Sequence, residues 1–431
     1  MNTLAKKVLT LAIFHQSLHW FSMGFLIPIT ALFQLEQGLS LLQVSLNMGI
    51  YSAVIMLLEL PTGGLADVLG RKNVYLLALA VKLGGYAVFL FAQNMALFLV
   101  GFVLLGIFRT LASGSIEAHF IDELKAADPN LDLQQALAKM EIFIPLGLAL
   151  GALTGGILPD TVGRIFEGHP VFTIYTVNIL ASLCGTIFLA AFTALFVHET
   201  WRKEESQQVQ GFSAFKDVLS TSITYGLKNK TVLLLVISSA GMAFAVAGLE
   251  AFWQPRVQNI AGEEAPKVIF GLLSSGYFFA ASLGSAVSIW ACRVFKKNYA
   301  VTAAVFKALT GAAFIVLALQ NTVPGFAVFY MLLFLQVGVF TSPHSTILNN
   351  VIPAEKRSTL LSFQSLFNYA GGIASSILLG LIAQFVSIPA VFTVAGIVMA
   401  GSAVVYLFID SKDAQGVGSG VQSSPQKADI S

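Results

Sequence analysis

Cysteine is almost absent from this chain: Cys184 and Cys292 are the only two in 431 residues. Both fall in or beside apolar segments, so neither a disulfide framework nor a cysteine metal cluster is expected. Charge is scarce as well. Only 11% of residues are charged while 56% are apolar, against about a quarter charged in soluble chains. That excludes an ordinary soluble domain. The formal net charge of +2 gives no basic surface for a nucleic-acid partner. No Gly-x-x-x-x-Gly-Lys loop is present, so ATP is not expected to drive the protein directly, and no cofactor is implied. His15 and His19 share one helix face, but no helix-borne carboxylate or cysteine offers a third ligand, so no metal is expected. A membrane enzyme would need more clustered histidines than these.

What is abundant is long apolar runs. They lie near 8–34, 40–61, 74–93, 96–121, 139–159, 171–197, 231–255, 268–291, 299–319, 325–350, 359–386 and 389–409. Each holds about 20 residues or more, enough to cross roughly 30 Å of hydrocarbon as helix. Lipid offers no partner for the backbone, so each must be helical. The first run follows Lys6 and Lys7, is too long for a signal peptide and shows no convincing cleavage site; a retained helix is expected. The fold class is therefore an all-α membrane protein with twelve transmembrane helices.

Eighteen of the 24 lysines and arginines fall on the side of the N-terminus, three on the other side and three inside apolar segments. Positive residues stay in the cytoplasm, which places both termini there. Residues 199–230 form the one long polar insert between spans. Phe212, Phe215, Leu219, Ile223 and Leu227 recur there at helical spacing, as in an amphipathic helix on the inner surface. The insert separates residues 1–198 from 231–410, and the Gly/Ser/Gln-rich stretch 411–431 reads as a disordered tail. The two halves match as repeats. Lys72-Asn73 falls on Lys297-Asn298 and Lys82 on Lys307, Gly147 on Gly371 and Gly156 on Gly380, and Pro28 on Pro255. Two pseudo-symmetric six-helix bundles follow, with a site expected where they meet near the midplane.

Between the second and third apolar runs stands Gly63-Gly-Leu-Ala-Asp67-Val-Leu-Gly70-Arg71-Lys72. It resembles the loop between helices 2 and 3 of the major facilitator superfamily, with Val68 in place of one arginine. The resemblance implies secondary transport of a small molecule by alternating access. It also implies an ion network in which Asp67 and Arg71 join an acid of helix 4, here Asp122. Arg109 and Gly114 resemble the helix 4 arginine–glycine pattern of that superfamily, one residue longer than usual, where the arginine is linked to proton movement. Gly147, Gly151, Gly155 and Gly156 resemble the helix 5 motif of its drug exporters, with Ala152 at the proline position; by themselves they also read as close helix packing.

The remaining candidates come from the residues. An arginine about 20 Å from the outer end of its span cannot lose its charge and needs a partner inside the bundle. Glu117 and His119 follow Arg109, and His15 and His19 on the first span can bind or relay protons. The alternative for each histidine is a neutral hydrogen bond to a neighbouring helix. Glu250 lies near the outer end of span 7. Glu59, one turn from the inner surface, is expected to reach cytoplasmic water. Lys82 and Lys307 are expected to snorkel from the bundle flank. The expected function is proton-coupled efflux of a small organic molecule by a drug:proton antiporter-like monomer in the cell (inner) membrane. An importer or a lipid or glycolipid flippase of the same fold is the alternative, and a channel or membrane receptor the rival from another class.

Overall fold

The structure is a computed structural model that describes residues 1–62, 65–199, 229–352, 357–410 and 412, apart from the side chains of Leu60, Pro61, Asp67 and residues 357–359. The amphipathic insert and the tail after Asp410, Lys412 excepted, lie outside the described residues, as do Gly63 and Gly64. The described chain is helical. Span 1 is Thr3–Gly24 (α1) plus Thr30–Glu36 (α2); span 2 is Leu41–Thr62 (α3). A short helix, Leu65–Leu69 (α4), precedes span 3, Arg71–Leu90 (α5). Span 4 is Met95–Ala112 (α6) and Ile116–Ala127 (α7). Spans 5 and 6 are Leu133–Ile157 (α8) and Thr176–Phe196 (α9). The second half holds Lys230–Ala261 (α10), Val268–Val294 (α11), Tyr299–Ala318 (α12), Val323–Val351 (α13), Arg357–Phe385 (α14) and Ile388–Ala403 (α15).

Eleven helices among the described residues are long and apolar enough to cross a membrane. The twelfth crossing is span 1. Its α1 carries Lys6, Lys7, His15, Gln16 and His19, and it is held along α8 rather than by its own hydropathy. Large apolar side chains face outward all around, among them Leu57, Leu150, Trp290 and Phe385. Water would penalise such a surface and lipid does not.

Two spans are broken, and the chemistry of each break is visible. Span 1 stops at Phe25 and resumes at Thr30, around Pro28, which has no N–H to continue the ladder. In lipid the freed backbone groups must find partners. Asn178 Nδ2 donates to Phe25 O at 2.7 Å and Thr30 Oγ1 to Leu26 O at 2.6 Å. Gln254, from the other half, donates to Ile27 O at 2.6 Å and accepts from Ala31 N at 2.8 Å. The matching proline, Pro255, sits inside the unbroken α10, so the repeat keeps the residue and not the break. Span 4 breaks at Ser113–Ser115, where Gly114 has φ +75°. This left-handed conformation suits glycine, and α6 ends at Ala112, three residues after Arg109.

The repeat is physical as well as sequential. Gly147 lets α8 close on the Ser17 carbonyl of α1, and its counterpart Gly371 lets α14 close on the Ala240 carbonyl of α10. A Cβ on Gly156 would lie 2.6 Å from Gly271 Cα on α11, and one on Gly380 would lie 2.5 Å from Ser45 Oγ on α3. The first pair of contacts builds each half; the second joins the halves. Gly151 and Gly155 continue the α1 seam, against Phe21 and Phe25 carbonyls. Gly151→Val should therefore force apart two backbones with no side chain to yield. A loss of about 1–3 kcal/mol is expected, measured as a lowered unfolding midpoint in detergent.

Contacts between the halves gather at the end away from the termini. There Asp160 Oδ2 accepts from the Lys267 N–H at 2.5 Å, Ser275 Oγ donates to Ala149 O at 2.7 Å, and Gln254 bridges the span 1 break. Burial draws the Lys267 ammonium below the usual lysine range, while Asp160 and Glu36 pull it back up. In the orientation the positive residues predict, this closed end faces outside. Cysteine at Gly168, in a background with Cys184 and Cys292 replaced by serine, should then react with an impermeant thiol reagent from outside intact cells. Cysteine at Asn298 should not, and the reverse labelling would invert the topology.

Candidate functional site: the cavity on the seam of the halves

A cavity of about 380 Å³ opens on the seam of the second half with α3. Its wall includes Ser52, Glu250, Lys307, His344, Gln364 and Tyr369, with Met242, Val246 and Phe340 supplying apolar surface. A smaller cavity of about 140 Å³ meets it at Ser52, Ala247, Glu250 and Gly372 and continues between α3 and α10. Pockets of this size, mostly apolar with a few placed polar groups, suit small organic molecules.

Glu250 stands at the junction of both cavities and is exposed to them. Its charge acts on Tyr51, Tyr277 and Tyr330. Tyr277 stacks on Phe334, centroids 4.4 Å apart.

Arg109 is also exposed, on the last turn of α6 beside the span 4 break. Its charge acts on Glu59 and Tyr51 of α3, on His19 of α1 and on Tyr369 of α14. Glu59 and Tyr369 belong to α3 and α14, which pack together across the halves. Glu59 is half-buried there. Glu117 is exposed at the start of α7, just past the break.

His15 and His19 each hydrogen-bond a neighbouring helix, as one of the two alternatives requires. His15 Nε2 pairs with Thr193 Oγ1 at 2.9 Å and His19 Nδ1 with Tyr75 OH at 2.7 Å, both inside the first half. His119 is buried on α7. The lysines do not snorkel. Lys82 is 0% and Lys307 1% exposed, and their heads point into the bundles. Lys82 Nζ lies 3.5 Å from Ser22 Oγ and 5.0 Å from the Phe108 ring centre. Lys307 Nζ donates to Ser238 O at 2.6 Å, 5.6 Å from the Phe340 ring centre. The inner surface is about 15 Å away along each helix, and each stem instead lies beside an aromatic ring and a serine of the first helix of its own half.

In the loop, Arg71 pairs with Asp122 and the Asp67 side chain lies outside the described residues. Both members of the pair belong to the first half. Glu199, which sequence reasoning missed, accepts from the N–H groups of Arg71 and Lys72 at 2.7 and 2.9 Å. A carboxylate there satisfies the free donors at the start of α5 and complements its dipole. Gly70, with φ +85°, makes the turn into that helix. Among the described residues no group of three His, Cys, Asp or Glu could hold a metal ion.

Two helical halves, closed together at one end over a mixed polar and apolar cavity, define a membrane transporter rather than an enzyme. The family model of the Major Facilitator Superfamily matches residues 12–344 and 264–428, and the chain belongs to that superfamily. It is similar to the uncharacterized MFS-type transporter YxaM of Bacillus subtilis (strain 168), 22% identical over 400 residues, covering 91% of this chain and 94% of that one. It is also similar to the uncharacterized MFS-type transporter MJ1560 of Methanocaldococcus jannaschii, 26% identical over 140 residues, 32% of this chain and 35% of that one. Among solved structures it shares its fold with the nucleoside transporter NupG, with TM-score 0.73 at 13% identity over 95% of this chain and 100% of that one. A bacterial homologue of the human lysosomal transporter Spinster, in an inward-facing and unoccupied conformation, gives TM-score 0.68 at 13% identity over 96% and 97%. The human organic anion transporter MFSD10 gives 0.60 at 16% over 94% and 100%.

Proposed function

We propose that this transporter moves a small organic molecule out of the cell in exchange for protons, in the manner of drug:proton antiporters, as a monomer in the cell membrane with both termini inside. The observation that carries the reading is the placing of Glu59, Arg109 and Tyr369 on α3, α6 and α14, where α3 packs on the second half. Glu59 is titratable, Tyr369 lines the cavity from the other half, and Arg109 is a cation that cannot be discharged. Protonating Glu59 would remove one counter-charge from the neighbourhood of Arg109. That is a differential energy between facing states, which is what coupling requires. Arg71, Asp122 and Asp67 act in this reading as a lock on the cytoplasmic side. Export rests on the resemblance of the α8 glycines to the exporter motif.

Proteoliposomes loaded with a pH-sensitive dye test the coupling. Adding a transported compound from a panel of drugs, sugars, nucleosides and organic acids should move protons in the opposite direction. Saturable substrate transport with no proton movement would leave a facilitator.

A further inference from the structure

Both halves bury the same cluster, and only one copy opens to the cavity. In the first half Lys82 sits over Phe108 and near Ser22, and His19 bonds Tyr75. In the second half Lys307 sits over Phe340 and on Ser238, and His344 Nδ1 bonds the Tyr406 hydroxyl at 2.7 Å. The first copy lines neither cavity described above. The second adds two cavity-lining groups, Ser239 and Gln364. His344 Nε2 faces Ser239 Oγ at 3.0 Å and Gln364 Nε2 at 3.1 Å, and Gln364 Nε2 donates to Ser239 Oγ at 2.7 Å. Lys307, His344, Ser239, Gln364 and Tyr406 all line the larger cavity.

The chemistry of this end is that of an anion's partner. Among the described residues Lys307 has no carboxylate within ion-pair distance. Two of its three donors go to Ser238 O and Oγ, leaving one for the cavity it lines. An ammonium inside a membrane bundle without a counter-charge is costly, and an anion arriving from the cavity would relieve that cost. The amide of Gln364 and the hydroxyls of Ser239 and Tyr406 can turn further donors toward it. Glu250 lies eleven residues along α10 from Ser239, about 16 Å along the helix, so it does not compete at this end. Met242, Val246 and Phe340 lie on the cavity wall for an apolar body.

Resting on the reading of this cavity as the transport site, we infer that the Lys307–His344–Gln364–Ser239 end binds the anionic head of the substrate, which is an amphipathic organic acid. The probes are three compounds of one skeleton, 4-phenylbutyrate, its neutral amide and 4-phenylbutylamine, with phenyl phosphate to separate carboxylate from phosphate heads. Binding to the purified full chain in detergent is read by calorimetry and thermal shift. The acid, the phosphate or both should bind, with the amide and the amine at least tenfold weaker. Lys307→Met should weaken the anion at least tenfold, Lys307→Arg should retain part of the affinity, and Lys82→Met should leave it unchanged. Should Lys307→Met fail to fold, Gln364→Leu and Ser239→Ala carry the same test, with a smaller loss for each. Preference for the amine, equal binding of acid and amide, silence of both anions, or full binding in the Lys307 and Gln364 variants would overturn the assignment. Proton movement is read separately. Lys307-dependent anion binding without proton movement would end the antiport reading and leave this site. Proton movement driven by the amine would do the reverse.

Discussion

Arg109→Ala is expected to abolish transport against a concentration gradient while leaving the protein folded and in the membrane. The side chain is exposed rather than packed, so its removal leaves no cavity in a core. What it removes is the fixed charge that Glu59, Tyr51 and Tyr369 experience. Coupling energies between sites are about 1–3 kcal/mol, or roughly 5–150-fold in an equilibrium. Losing that term should flatten the dependence of transport on pH by a comparable factor. Arg109→Lys should restore only part, because an ammonium keeps the charge and loses the planar fork. Glu59→Gln should give the same flattened profile from the other partner, since it fixes the neutral state. Proteoliposome uptake under imposed pH gradients measures all three. Gradient-driven accumulation that survives in Arg109→Ala would remove the coupling role.

Gly156→Val is expected to hold the outer end open. A Cβ at Gly156 would stand 2.6 Å from Gly271 Cα, and one at Gly271 would stand 2.9 Å from Ala152 O. Backbone cannot step aside as a side chain can, so the closed arrangement carries the clash and the open one does not. A differential of about 2–3 kcal/mol is in the range of overpacking penalties, enough to shift a two-state equilibrium by roughly thirtyfold or more. Gln254→Leu should act in the same direction by another route. It would strand Ile27 O and Ala31 N, which Gln254 serves across the halves. An unpaired buried backbone group costs about 1–3 kcal/mol. Cysteine at Ser52, which lines both cavities, reports the result. In either variant it should react faster with an external thiol reagent than in the parent.

The spans were legible because lipid allows one backbone solution and hydropathy marks it. Some predicted boundaries fall within three residues of the observed ones, as 40–61 against Leu41–Thr62, and others miss by five or six, as 231–255 against Lys230–Ala261. Gly147 and Gly156 were legible as repeat partners of Gly371 and Gly380, and the structure gives each pair the same kind of contact. Other features depended on register between distant helices. The extra residue between Arg109 and Gly114 reads in sequence as a displaced motif; in the fold Gly114 breaks the helix. Lys82 and Lys307 carry the stems of snorkelling side chains, and nothing local says that a serine and an aromatic ring await them inside. Nothing in the sequence names Tyr75 as the partner of His19. Glu59, Gln254 and Glu199 each act on a partner in another span, and a single sequence has no term for such pairs.

Reciprocal motion of the two ends is the claim on which the rest stands, and one pair of distances measures it. Spin labels at the exposed positions Glu167 and Glu263 report the outer end, and labels at Lys125 and Asn350 the other end. Double electron–electron resonance would be recorded at acidic and alkaline pH and with a transported compound. The account predicts a short, narrow outer distance in the closed state described here and a longer inner one. Conditions that lengthen the outer distance should shorten the inner. Two distances that stay fixed, or that lengthen together, would contradict alternating access and leave a channel or receptor in its place.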